Sequence, residues 1–244
     1  MRFIFLGTGG YHPNERRHTA GVMFPEIGLV FDAGTGFFRV PERAQTQELQ
    51  VFLTHAHLDH VVGLTYLLAP MFSGQLQRVS VYSTEQYLQA VREHLFSGPL
   101  FPVMPPYQFV PLATETPLPL GGVLTHHPLT HPGGALGFKA TWPDRSVAYI
   151  TDTVVDHSYL EFIRGVDVLI HECYFPDVDA AAAAKTGHCH TTPVAELARA
   201  AQVGRLVLLH IDPDRPGDDP IGLATAQAIF PQTVLAEDLM EIDF

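Results

Sequence analysis

The chain has 244 residues, with 14 Lys and Arg against 26 Asp and Glu, a net charge of −12 with histidine neutral. That balance, without any Lys/Arg cluster, opposes binding to a phosphate backbone, so no nucleic acid beyond nucleotides is expected as a partner. No apolar run approaches the roughly 20 residues of a spanning helix, and Cys173 and Cys189 are too few for a disulfide framework, so a cytoplasmic setting away from membranes is expected.

Met1 to Leu6 alternates as a short strand and lacks the apolar core and cleavage site of a signal peptide. Gly7-Thr8-Gly9-Gly10 has neither a P-loop lysine nor the spacing of a dinucleotide fingerprint, and reads as a strand-to-loop turn. Arg16 and Arg17 read as solvated surface, with His18 lining a substrate entrance. Leu29-Val30-Phe31 is a strand that runs into Asp32, ahead of Ala33-Gly34. Leu49 to Thr54 reads as a buried strand and Val61 to Leu68 as the start of a helix, with His55-Ala56-His57-Leu58-Asp59-His60 between them. Phe101 to Pro119 is Pro-rich and reads equally as a covering loop or as surface packing. Trp142-Pro143-Asp144-Arg145 is a turn between two strands, and Ala180 to Ala184 a short helix. Thr192 and Pro193 suit the N-cap and first position of the next helix. Leu206 to Leu209 is an apolar strand with His210 at its end, and Asp238 to Ile242 closes the chain as a strand. No linker divides these elements, which predicts one domain over residues 1–244.

Three imidazoles and one carboxylate within six consecutive residues are the strongest chemical signal. Neutral imidazole and carboxylate are ligands that zinc prefers. In a tight strand-to-helix turn, alternate side chains can converge on one point, so the segment reads as a dinuclear metal site. A ligating imidazole needs an acceptor on its other nitrogen. Asp32 is placed to supply one, the alternative being an ordinary turn carboxylate.

The HxHxDH spacing resembles the signature of the metallo-β-lactamase superfamily. Leu129-Thr130-His131-Pro132, with Gly137-Phe138 six residues after the histidine, resembles the third-histidine motif of ribonuclease Z and its relatives; His126 and His127 lack that Gly-Phe pair. Ala148 to Thr153 resembles the family's strand ending in a bridging Asp, here Asp152, and His210 takes the place of the last ligand. The resemblance implies an α/β four-layer αββα sandwich with two mixed sheets and two divalent ions, Zn favoured and Mn or Fe admitted. His55, His57 and His131 would hold one ion, Asp59, His60 and His210 the other, and Asp152 would bridge them. Two such ions share a hydroxide by lowering the pKa of water from about 15.7 toward ~7, which makes hydrolysis the expected reaction.

Gly187-His188-Cys189-His190-Thr191-Thr192-Pro193 resembles the His-Ser-Thr element of the ribonuclease Z group, with Thr191 in place of Ser. On that alignment His190 stabilises the transition state or protonates the leaving oxygen. His188 is the competing alignment, and helix capping by both histidines the structural alternative. Glu172, in His171-Glu172-Cys173, resembles the family's His-Glu pair and is expected to orient His190. Asp59, Glu172 and His190 are therefore the candidate catalytic residues. Transfer-RNA processing members of the group carry a long arm between the third-histidine and bridging-Asp motifs, and Pro132 to Thr151 leaves no room for one. Armless relatives include phosphodiesterases of cyclic phosphates and small nucleotides, so the expected substrate is a small or cyclic phosphate ester; a homodimer is left open. A hydrolase of lactones, thioesters or β-lactams would share the hydroxide but have no use for His190. A non-hydrolytic module of the diiron flavoprotein type would replace an early histidine by an acid and add a flavin domain, whereas His57 is present.

Overall fold

The computed structural model describes residues 1–215 and 217–244. The chain forms two compact units, Met1–Ala113 with Asp238–Asp243, and Thr114–Glu237 with Phe244.

The first unit contains β1 (Arg2–Gly7), β2 (Gly21–Phe24), β3 (Leu29–Phe31), α1 (Val40–Arg43), β4 (Glu48–Phe52), α2 (Leu58–Val61), α3 (Leu68–Phe72), β5 (Arg78–Ser83), α4 (Glu85–Ala90) and β6 (Gln108–Pro111). The closing β14 (Glu241–Asp243) pairs antiparallel with β1 and joins the same sheet. From β3 through β6 the pairing is parallel. Strands buried on both faces read as continuous apolar runs, and this sheet is built that way. Leu6, Val30, Val51 and Val81 pack with Leu64, Leu67 and Leu88 on the helix side. Phe3, Phe5, Phe24, Phe31 and Phe52 alternate with them and pack ring against ring on the other side. The Thr84 side chain caps α4 by accepting from the Tyr87 amide at 3.3 Å.

The second unit contains β7 (Glu115–Leu118), β8 (Gly122–Leu129), β9 (Ala135–Trp142), β10 (Arg145–Ile150), α5 (Leu160–Ile163), β11 (Val168–Glu172), α6 (Ala180–Thr186), α7 (Thr191–Ala200), β12 (Arg205–Leu209), α8 (Leu223–Ile229) and β13 (Thr233–Leu235). Its seven strands run in the order β13-β12-β11-β10-β9-β8-β7. Pairing is parallel from β13 to β10 and antiparallel from β10 to β7. Val194, Ala195 and Ala198 form the buried stripe of α7 and pack with Leu169 of β11 and Leu206 and Leu208 of β12. Two mixed sheets with helices against them are the layer content of the expected α/β, αββα class.

Four local expectations need correction. The helix expected from Val61 already begins at Leu58, so Asp59 and His60 lie in its first turn. The Pro-rich stretch Phe101 to Pro119 contains β6 and β7, because the two prolines inside those strands, Pro111 and Pro117, fall at a strand end and on an edge strand, where proline is tolerated. Helix α7 begins at Thr191 rather than Pro193. An external carboxylate explains the shift: Asp177 accepts from the Thr192 amide at 2.8 Å and from the Thr192 hydroxyl at 2.6 Å, serving as the cap from outside the helix. Arg17 is buried, not solvated, and donates from Nη1 to the Thr8 hydroxyl at 2.6 Å.

Candidate metal centre

In the first unit the ligand-type residues gather beyond the carboxyl end of β4. The ring of His55 lies 4.4 Å from that of His57 and 4.3 Å from that of His60, centroid to centroid. His60 Nε2 is 3.4 Å from Asp59 Oδ2. That oxygen also accepts from the Tyr11 amide at 2.8 Å, which fixes the carboxylate.

Asp32 underlies this group as expected. It is fully buried and accepts from His60 Nδ1 at 2.9 Å, from the Thr54 amide at 2.8 Å and from the Thr54 hydroxyl at 2.9 Å. A carboxylate can only accept, so His60 carries its proton on Nδ1 and keeps the Nε2 lone pair for a cation. The Thr54 hydroxyl, having given its proton to Asp32, accepts at 3.0 Å from Nδ1 of His55 and leaves the same lone pair there. One carboxylate thereby sets the tautomer of two histidines. The turn after β3 reaches α2 through backbone bonds from Ala33 to the His60 carbonyl and from Gly63 to the Ala33 carbonyl, both 2.8 Å. This approach requires glycine: a Cβ at Gly63 would stand 2.3 Å from Cβ of Phe37 and 2.4 Å from the Gly34 carbonyl.

In the second unit Asp152 stands between two histidines. Its Oδ2 is 3.5 Å from His131 Nε2 and its Oδ1 is 3.2 Å from His210 Nε2, one oxygen to each ring. These separations match the ~3.4 Å edge of a tetrahedron with metal–ligand bonds of ~2.1 Å, so the donors fit first-row divalent ions. Burial holds the His131 imidazole below its ordinary value against the pull of Asp152, which favours the neutral, ligating form. His131 Nδ1 donates to the Gly187 carbonyl at 3.1 Å. Asp32, Asp152 and His210 all have φ between 53° and 59°. Left-handed backbone costs a residue with a Cβ roughly 1–2 kcal/mol, and three such residues just past β3, β10 and β12 mark strain held at the candidate ligand positions and their support.

Glu172 is also fully buried, but its partner differs from the one expected. It accepts from His188 Nδ1 at 3.1 Å, the Thr153 amide at 2.6 Å and the Cys189 amide at 2.9 Å. Burial pushes its carboxyl up, yet His188 and His210 overcome that and hold it below its ordinary value. His190 turns instead to Asp177, with Nδ1 2.7 Å from Oδ1, at the N-terminus of α7. His188 and His190 thus bond two different carboxylates, Glu172 and Asp177. His188 lies with Asp152 and His210 in a group whose donor atoms are all within 4.8 Å of one another. Tyr174, which the sequence reading passed over, stacks on His188 at 4.7 Å and 20° and also contacts His210 at 5.6 Å. Its place directly after His171-Glu172-Cys173 was the available signal.

Among the described residues, the ligand-type side chains form two candidate metal-binding clusters, consistent with a dinuclear site. No helix among them is long and apolar enough to cross a membrane. A family model described as the beta-lactamase superfamily domain matches residues 29–211. A ribonuclease Z of Synechococcus sp. (strain WH7803) is 32% identical over 312 aligned positions, covering 100% of this chain and 96% of the relative. With 244 residues to fill 312 positions, the relative carries several tens of residues without a counterpart here. Among solved structures, the metallo-beta-lactamase fold protein YhfI from Bacillus subtilis superposes with a TM-score of 0.80 at 20% identity, covering 99% of this chain and 98% of that one. The short form of human tRNase Z superposes at 0.73 and 22% identity, covering 100% and 99%. At these identities the likeness is one of fold.

Proposed function

Since the chain belongs to the metallo-β-lactamase superfamily and is a dinuclear-metal-binding hydrolase, we propose that the bond it cleaves is a phosphodiester in a small or cyclic phosphate ester. Residues 1–244 act as one hydrolase domain. His55, His57 and His131 would hold one ion and Asp59, His60 and His210 the other, with Asp152 serving both; zinc would suit this set, and manganese or iron is accepted by the same ligand types. The bound ions supply Lewis acidity and an ionised water as nucleophile.

The observation that carries the phosphodiester reading is the Glu172–His188 pair beside Asp152 and His210. Glu172 fixes the His188 proton on Nδ1 and stabilises charge on the ring, while Tyr174 holds the ring plane. His188 Nε2 is then the atom that carries a proton to the departing alkoxide oxygen. His188 takes the role first assigned to His190, whose bond to Asp177 ties it to the start of α7. Two facts disfavour a folded RNA substrate: the net charge of −12, and a turn of only Pro143 and Asp144 between β9 and β10, where an arm would be inserted. Two buried free thiols fit a reducing cytoplasm.

The test is hydrolysis by zinc- or manganese-loaded protein of bis(p-nitrophenyl) phosphate, 2′,3′- and 3′,5′-cyclic nucleotides, a lactone and a thioester. Phosphodiester turnover is expected. His188→Ala should lower kcat about 10²- to 10⁴-fold on a cyclic nucleotide, whose alkoxide needs a proton, and less on p-nitrophenolate. His190→Ala should leave kcat within a few-fold. Turnover confined to the lactone or thioester, or an unaffected His188→Ala enzyme, would defeat the reading.

A further inference from the structure

A cavity of about 490 Å³ lies in the first unit beside the HxHxDH turn. Its wall includes Ala56, Leu58 and Val61 from that turn and α2, Val91 beyond α4, and Leu100 and Phe101. Ala56 and Leu58 alternate with the ligand candidates His55, His57 and Asp59. Adjacent Cα atoms are about 3.8 Å apart, so this wall begins within one residue of three ligand positions. The volume is that of a small-molecule site.

Polar capacity in the wall is almost nil. Thr65 and His94 are the only lining side chains with a polar atom, and the Thr65 hydroxyl proton is already given to the Val62 carbonyl at 2.7 Å. A nucleobase placed here would lose water from several donors and acceptors and find only the Thr65 hydroxyl oxygen and the His94 ring among the side chains to replace it, a heavy penalty. A hydrocarbon group loses nothing. Leu58 and Leu100 are 68% and 77% exposed at the cavity, where large apolar side chains gain from being covered.

We infer that this cavity is a substrate subsite for an aryl or alkyl group of the ester, and that the enzyme selects phosphodiesters by a hydrocarbon substituent rather than a nucleobase. The inference rests on the phosphodiesterase reading for the ester's identity and on the cavity alone for the substituent. Ala56 and Leu58 adjoin His55, His57 and Asp59 in the chain, which sets the cavity within one residue of the reacting group.

Isothermal titration of zinc-loaded protein with diphenyl phosphate and dimethyl phosphate tests it. Burying one phenyl ring should make the first bind about tenfold to a hundredfold tighter. Leu100→Asp, at a position exposed enough to leave folding alone, and Ala90→Phe, which fills the cavity, should each shrink that preference. On bis(p-nitrophenyl) phosphate both variants should raise KM more than they lower kcat. Equal affinity for the two phosphates, a preference that survives both substitutions, or a stronger preference for the p-nitrophenyl ester of thymidine 5′-phosphate would overturn the assignment. Should neither phosphate bind, the phosphodiester reading fails separately, and phenylacetate against acetate decides the cavity. Tighter phenylacetate binding that Leu100→Asp abolishes upholds it; equal binding overturns it.

Discussion

Replacing Asp32 separates the fold's demand on this carboxylate from the metal's. Asp32→Ala would strip the Thr54 amide, the Thr54 hydroxyl and His60 Nδ1 of their acceptor in a fully buried place. Each orphaned donor costs about 1–3 kcal/mol, so this variant should lose several kcal/mol, much of the stability of a domain. Asp32→Asn is the sharper test. Asparagine tolerates the left-handed backbone at φ 57°, and its carbonyl can still accept from the Thr54 amide. Its amide group, however, presents protons to His60 Nδ1, which must become the acceptor and move its own proton to Nε2. A protonated Nε2 cannot ligate. The ion assigned to Asp59, His60 and His210 should therefore bind about 10- to 100-fold more weakly, a loss of about 1.4–2.7 kcal/mol. Competition against a chelating dye, with elemental analysis after gel filtration, measures both ions. Nitrogen chemical shifts of His60 report its tautomer. Wild-type affinity for both ions, in an Asp32→Asn protein whose metal-free unfolding midpoint is unchanged, would refute the reasoning.

Other expectations follow from single contacts. Gly63→Ala forces a Cβ to within 2.4 Å of the Gly34 carbonyl, and overpacking of this kind costs about 1–3 kcal/mol; an unchanged thermal midpoint would contradict the close approach. Burial pushes the thiols of both Cys173 and Cys189 up, so neither should react with a disulfide reagent until denaturant is added. Labelling of either thiol in the folded protein counts against their burial. His171 is neutral and satisfied on both nitrogens, Nδ1 donating to the Glu172 carbonyl at 2.7 Å and Nε2 accepting from the Tyr159 hydroxyl at 3.0 Å. Burial holds it below its ordinary value of 6.5. The unfolded chain then takes up its proton first, so this contribution to stability is present above pH 6.5 and is lost as pH falls toward the folded-state value. Urea unfolding at pH 7.5 and 5.5 should show a steeper loss in the wild type than in His171→Gln; parallel losses would remove His171 as the cause.

Much of the first unit's chemistry was legible because its residues are close in sequence. His55, His57, Asp59 and His60 occupy one turn, and Asp32 directly follows the strand paired in parallel with β4. What escaped depends on contacts between distant segments. His188 and His190 are equivalent in composition and separated by one residue, so no local property ranks them. Glu172 takes the first because it also accepts the Cys189 amide, which brings the neighbouring ring onto the same carboxylate. Asp177 takes the second for a matching reason, since its bond to the Thr192 amide draws the start of α7 toward it. The shifted start of α7 and the bond of His190 to Asp177 rather than Glu172 therefore have one cause: a carboxylate outside the helix does what a local cap normally does.

The two sheets also explain why the functional residues fall where they do. Each has one antiparallel half and one parallel half. Asp32 and His55 lie beyond the carboxyl ends of the parallel neighbours β3 and β4, while Asp152 and His210 follow β10 and β12, with Glu172 ending β11 between them. Parallel strands point their carboxyl ends the same way, so polar residues placed there gather without any strand being broken. Apolar residues fill the strands themselves, and the ladder holds the neighbouring ends in register. The short left-handed kinks at Asp32, Asp152 and His210 then turn each candidate side chain off the strand direction. On this account, moving the candidate ligand His210 one residue further beyond the end of β12 should disable the centre even though ligand type and count are preserved. His210→Ala combined with Ile211→His is the variant to make, since position 211 is buried and extends past the kink. Loss of one of two bound ions by elemental analysis is expected, and full retention of both would show that strand-end geometry does not set the ligand position.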